Sequence, residues 1–218
     1  MYVFEHRTDA GQQLAAQLDA LKGSDVVVLG LPRGGVPVAA EVAKALDAPL
    51  DVIVVRKLGV PFQPEVAMGA IAEGGVRVLD DTVLAAAQVS EAEQREVENR
   101  EWAALEARSV RLRRGRPRID LKGCVVVIVD DGIATGSTAR AACQVARQLG
   151  AARVVLAVPV GPRDTVEHFV DADEVICVVT PSNFFPVGSY YRDFSPTSEE
   201  KVIKFLDAAA RRGQLGKV

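Results

Sequence analysis

Short Val/Ile/Leu runs that alternate with helical segments set the architecture open to this chain. DVVVLGL (25–31), LDVIVVRK (50–57), CVVVIVD (124–130), RVVLAVPV (153–160) and EVICVVT (174–180) lack the in–out alternation of a strand with one wet face. Strands apolar on both sides need cover on both sides, which a parallel sheet between helices supplies. GVPVAAEVAKAL (35–46) and STARAACQVARQLGA (137–151) read as amphipathic helices, the second closed by Gly150 as a C-cap. Strand–helix–strand order therefore predicts an α/β fold, a mostly parallel sheet flanked by helices. At 218 residues the chain is read as a single domain.

Residues 82–118 break this rhythm and read as a helical insertion, one long helix or two, beside the sheet. Ser90 with Glu93 has capping-box spacing, and the segment runs from acidic to basic, which suits a helix dipole. RRGRPR (113–118) is read as a solvated helix end rather than a nucleic-acid contact. The insertion offers an oligomer surface, so a homodimer is expected. A net charge of −3 gives no footprint for nucleic acid. No apolar run nears the ~20 residues of a membrane span, and the first residues lack a signal pattern. Cys124, Cys143 and Cys177 are widely spaced within apolar segments. They read as core residues of a reduced, cytoplasmic protein. His6 and His168 are too few for a histidine-rich metal site.

The chemistry concentrates in VVVIVDDGIATGST (125–138). Asp130 and Asp131 stand side by side where a buried strand ends, and ligands of open parallel sheets bind beyond the carboxyl ends of the strands. Ala134, Thr135, Gly136, Ser137 and Thr138 then enter a helix. Small residues expose backbone N–H groups there, the helix start adds partial positive charge, and three hydroxyls add donors. That is a cradle for a phosphate, and the paired acids beside it are acceptors for a diol such as ribose hydroxyls. An ordinary strand–turn–helix with a capping aspartate is the alternative. No GK[ST] of a Walker A loop occurs, and no GxGxxG sits at a strand–helix turn.

The 13-residue pattern VVIVDDGIATGST (126–138) resembles the phosphoribosyl-pyrophosphate (PRPP) motif of type I phosphoribosyltransferases, with Gly132 in place of an apolar residue. GLPRGGVP (30–37) resembles the short pyrophosphate loop of that family, with Arg33, Gly34 and Gly35 as its binding residues; family members often carry a strained or cis peptide there. Arg56 and Lys57, in VVRKLG, resemble the basic pair of adenine-type members, which would face the pyrophosphate; a solvated strand end is the alternative. Segment 58–69 sits where family members carry a flexible closing loop. GLPRGGVPVA, VVRKLG and GAIAEGG together are similar to a bacterial group of phosphoribosyltransferase-domain proteins.

The resemblance implies an enzyme of nucleotide metabolism that transfers phosphoribosyl from PRPP to a nitrogenous acceptor with Mg²⁺. Its small-molecule substrates would be PRPP and that acceptor, with no nucleic-acid or membrane partner. Asp130 and Asp131 would hold the ribose and the metal, directly or through water, and 134–138 the 5′-phosphate. Arg56, Lys57 and Asp131 would be the catalytic groups. A PRPP-sensing binding protein without turnover is the alternative. Oxopurine enzymes carry an aspartate where this chain has Ala134, so hypoxanthine or guanine chemistry by that route is not expected. The acceptor would lie under a hood built from 1–22 and 180–202, where Phe184, Phe185 and Tyr191 would stack on a base, against the alternative of a flap packed on the core. His6 and Arg7 are further candidate contacts. Thr197 with Glu200 predicts a capping box for a final helix over 198–212.

Overall fold

The computed structural model describes residues 3–215, with side chains described through Arg212. Five strands, β1 (Val26–Gly30), β2 (Leu50–Val52), β6 (Val125–Val129), β7 (Arg153–Val160) and β8 (Glu174–Val179), form one sheet in the order β2-β1-β6-β7-β8. Every neighbouring pair in it is parallel. The α/β reading of the sequence holds.

Both faces of this sheet are covered along β1, β6 and β7, while the edge strand β8 is only half-buried. Val28, Val127, Val129, Val155 and Ala157 face one apolar cluster, with helices α1 (Arg7–Ala15), α2 (Gly35–Ala45) and α7 (Glu199–Leu215). The alternating residues Val27, Val126, Ile128, Val154 and Leu156 face a second cluster under α5 (Ser137–Gln148). Period-two side-chain placement with two covered faces accounts for the unbroken apolar runs.

The expected strand 50–57 is two strands. β2 pairs with β1, whereas β3 (Val55–Val60) joins β4 (Gln63–Ala72) and β5 (Val76–Leu79) in a separate antiparallel sheet. Segment 58–69, expected as a loop, is thus mostly hairpin. Gly59 permits it, because a Cβ there would lie 2.5 Å from the Pro64 carbonyl oxygen.

The 82–118 segment forms two helices, α3 (Asp81–Ala87) and α4 (Glu91–Arg113), separated at left-handed Gln88. Ser90 and Glu93 form the capping box reciprocally: the Ser90 N–H donates to Glu93 Oε2 at 2.9 Å and the Glu93 N–H to Ser90 Oγ at 3.3 Å. Val97, Leu105 and Leu112 bury one side of α4 in the first cluster. Its basic end is solvated at Arg114 and Arg118 but not at Arg113. Arg113, 6% exposed, donates to both Asp51 oxygens and to the Val52 carbonyl and is paired with Glu73. A buried cation demands such partners, so the helix end is tied to β2.

One expected cap moves by a residue. The cap of α7 is Ser198, whose Oγ accepts from the Lys201 N–H at 3.2 Å, while Thr197 is buried. His6 caps α1, its Nδ1 accepting from the Asp9 N–H.

Candidate active site at the sheet switch point

β1 and β6 are adjacent, and the chain leaves them in opposite directions along the sheet, to β2 on one side and β7 on the other. Their carboxyl ends define the crevice where parallel sheets take ligands. Gly30 pairs with Val129, and the Leu31 N–H donates to the Val129 carbonyl at 2.8 Å. The loop carrying Arg33 and the loop carrying Asp130 and Asp131 therefore start side by side.

The two loops touch. A Cβ at Gly34 would fall inside the Asp131 carboxylate, and one at Gly35 would lie 2.5 Å from the Val129 carbonyl oxygen and 2.8 Å from the Asp130 Cα. Only hydrogen fits at either place. The peptide between Pro32 and Arg33 is cis. Gly34→Ala is expected to cost about 1–3 kcal/mol, the usual range for forced overpacking, and denaturant unfolding reads it out. An unchanged midpoint would contradict this packing.

The acids differ in environment. Asp131 Oδ2 accepts from Arg7 Nε at 2.7 Å, with the side chains 15% and 11% exposed. Asp130 Oδ1 accepts the Asp131 N–H at 2.9 Å. Burial, and then the Asp131 carboxylate, hold the Asp130 carboxyl well above the ordinary aspartate range. Ionising a carboxyl whose pKa is raised on folding destabilises the fold. Stability should fall as pH rises from about 4 toward the raised value, and stay lower above it. Asp130→Asn removes this titration. It is expected to unfold at a higher temperature than the parent chain at pH 7, with the gap narrowing toward pH 4. A lower melting temperature at pH 7 would contradict the assignment.

Beyond the acids, Ile133 anchors the turn, its N–H donating to the Val160 carbonyl at 2.9 Å. Ala134, Thr135, Ser137 and Thr138 are exposed, and Gly136 is left-handed at φ +73° as the N-cap of α5. No side chain caps this helix, so its first amides are unclaimed by side chains. The loop is supported from below: Thr165 Oγ1 donates to the Ala134 carbonyl at 3.1 Å, and Phe169 packs under Gly136. Neither residue carried a signal in the sequence.

The other candidates divide. Arg56 and Lys57 are neighbours within β3 rather than at a strand end, so their side chains leave on opposite faces. Arg56 donates to Glu101 of α4 at 2.6 and 2.9 Å, and Lys57 Nζ reaches the Glu65 carbonyl across the hairpin at 3.3 Å. Arg33 is exposed and has no ion pair among the described residues. Residues 3–5 and 190–193 are joined by backbone hydrogen bonds, which brings the two chain segments of the expected hood together. Within it Tyr191 is 1% exposed, and its hydroxyl donates to the Asp131 carbonyl at 2.6 Å. Its ring is enclosed between Phe4 and Phe194, with no face open for stacking. Phe184 is half-buried against Tyr190, and Phe185 is 61% exposed. The Arg7 guanidinium lies 3.9 Å from the Phe194 ring centroid, which fixes it against Asp131. Gly132, at φ +151°, admits Val187 of this segment: a Cβ there would lie 2.6 Å from Val187 Cγ1. The glycine that departs from the usual motif thus serves the packing of 180–202 onto the loop.

The phosphoribosyl transferase domain family matches residues 5–193. Two Mycobacterium tuberculosis proteins, from two different strains, carry phosphoribosyl transferase as a provisional name. Each is 60% identical over 212 residues, 97% of this chain. The chain spans about half of their length, 48%. The crystal structure of TT1426 from Thermus thermophilus shares 44% identity over 94% of this chain and 98% of that one, with a TM-score of 0.85.

Proposed function

The chain belongs to the phosphoribosyl transferase domain family, and on that premise we propose that it transfers phosphoribosyl from PRPP to a nitrogenous acceptor at the β1/β6 crevice. One observation carries this reading. An uncapped helix start with four exposed small or hydroxyl residues lies directly beside two carboxylates at the switch point. A 5′-phosphate suits the amides of 135–138 and the α5 N-terminus. Asp131 and Asp130 then accept the ribose hydroxyls. A pair of acids held in mutual repulsion gains when hydroxyl donors arrive, which fits the raised Asp130 carboxyl.

In the reaction the C1–oxygen bond to pyrophosphate breaks, the leaving group keeps the electron pair, and the acceptor nitrogen bonds to C1. Positive charge develops on the ribose and negative charge on the pyrophosphate. This chain's groups have little covalent work to do; they position and neutralise. The backbone of Arg33-Gly34-Gly35 and the Arg33 and Arg56 guanidiniums are assigned to the pyrophosphate side. Lys57 lies on the opposite face of β3 from Arg56 and is left out of this role.

The residues present suit Mg²⁺. Among the described residues no cluster of three or more ligating side chains occurs. Magnesium carried by substrate phosphates and water needs only one or two carboxylates, which Asp130 and Asp131 offer. When bound, it would neutralise charge on the leaving pyrophosphate. The cysteines suit a reducing cytoplasm: burial pushes the Cys143 thiol up to about 12 and the Cys177 thiol up to about 11, which keeps both protonated.

Pyrophosphate release from PRPP and Mg²⁺ over a panel of nitrogenous bases tests the reading. Release with at least one acceptor is expected, and Arg56→Ala should lower it about tenfold while sparing ribose 5-phosphate affinity. Binding without release for any acceptor would favour a PRPP sensor.

A further inference from the structure

Helix α4 takes no part in the ribose and phosphate half of the crevice, yet one of its side chains reaches the loop after β1. Arg108 Nη2 donates to the Pro32 carbonyl at 3.4 Å. Its Nε is buried without a hydrogen-bond partner, and the nearest acid, Glu199 of α7, stands 3.8 Å away. Glu199 is claimed more closely by Arg111, at 2.6 Å. Burial is the main influence holding the Arg108 guanidinium below the usual arginine range; Glu199 opposes it, and the charges of Arg56, Arg33 and Arg111 add to it. Arg108 thus feels the charges of Arg33 on the β1 loop and Arg56 on β3, while the ion-pair contacts among the described residues are Arg56 with Glu101, and Arg108 and Arg111 with Glu199. Like charges at such range are costly in isolation and become favourable when they share a polyanion. A planar guanidinium whose Nη2 already lies at the β1 loop presents a fork of N–H groups that matches the oxygens of a diphosphate.

We propose that Arg108 is a diphosphate-binding residue, contributed by the inserted helix, which with Arg33 and Arg56 clamps the pyrophosphate group of the substrate. This rests on the phosphoribosyl reading above and gives the insertion a chemical purpose. Glu101, which orients Arg56, and Glu199 are the acids that hold the clamp between turnovers. Arg111, one turn along the same helix and 57% exposed, shares Glu199 without reaching the loop and is the natural control.

Calorimetry on the full chain, with inorganic pyrophosphate plus Mg²⁺ and separately with ribose 5-phosphate, tests the proposal. Arg108→Gln is expected to weaken pyrophosphate binding about 10- to 100-fold, the loss of charge-assisted hydrogen bonds. Ribose 5-phosphate affinity should stay within about twofold, as for an uncoupled site. Arg111→Gln should leave both near the parent values, and Arg108→Lys should recover part of the loss. Pyrophosphate binding unchanged in Arg108→Gln would overturn the proposal. Parallel loss of both ligands would overturn it too, by assigning Arg108 to the scaffold. A parent chain that ignores ribose 5-phosphate yet binds pyrophosphate through Arg108 would overturn the phosphoribosyl reading and keep the clamp; one that binds neither would overturn both.

Discussion

Asp131→Asn is expected to weaken PRPP binding about 10- to 100-fold, the range for losing hydrogen bonds to a charged group. The substitution keeps the shape that fits against Gly34 but replaces one acceptor oxygen with an NH₂ donor. If that group takes the Oδ2 position, it meets the Arg7 Nε–H donor to donor, where a 2.7 Å ion pair stood. If the amide turns over, the donor faces the ribose hydroxyls instead. In either orientation one partner is lost. The fold should survive, because relief of the repulsion on Asp130 offsets part of the broken Arg7 pair. Titration calorimetry with PRPP and Mg²⁺ measures the effect. An unchanged dissociation constant would remove Asp131 from the ribose site.

Arg113→Met is expected to destabilise the chain by about 3–5 kcal/mol, the range for breaking a buried ion pair by removing one partner. Arg113 and Asp51 are 6% and 7% exposed, and Glu73 is 16% exposed. Burial alone would lower the Arg113 pKa, but the two carboxylates outweigh it and raise it above the ordinary arginine value. Methionine fills the volume and leaves Asp51 charged, buried and without its ion pair. Asp51 also accepts from the Ile119 and Val52 N–H groups, which softens the loss without replacing the charge. Chemical denaturation at neutral pH gives the number; a loss under about 1 kcal/mol would mean water reaches this corner. Arg113 ends the same helix that carries Glu101 and Arg108, so this variant should also loosen the pyrophosphate side of the crevice.

The parallel sheet was legible because burial on both faces writes itself directly into the sequence as Val/Ile runs. The boundary between β2 and β3 was not. Leu50 to Val55 is an apolar stretch broken only by Asp51, and pairing changes sheet in the middle of it without a change of residue type. The β3–β4 hairpin was hidden by its glycines and prolines and by register shifts at Gly59, which blur the period-two pattern. At the site, the acids and the loop after them are consecutive in the chain, from Asp130 to Thr138, and could be read together. Arg7 and Tyr191 could be named as hood candidates but not placed on Asp131, and Arg108 could not be named, since they reach their partners across 124, 60 and 76 residues. Aromatic enrichment in 180–202 marked a packing segment as much as a binding one. Tyr191 spends its ring on the core and its hydroxyl on the Asp131 backbone.

In this reading the β1/β6 crevice holds ribose 5-phosphate, with the monoester on the amides of 135–138 and the sugar on Asp130 and Asp131. A crystal soaked in PRPP and Mg²⁺ would show where the sugar and its phosphate sit. Density is expected for the 5′-phosphate at the start of α5 and for ribose hydroxyls on the two carboxylates, with Arg7 drawn off Asp131 or sharing it. A well-ordered PRPP bound elsewhere on the chain, with Arg7 still closed on Asp131, would contradict it.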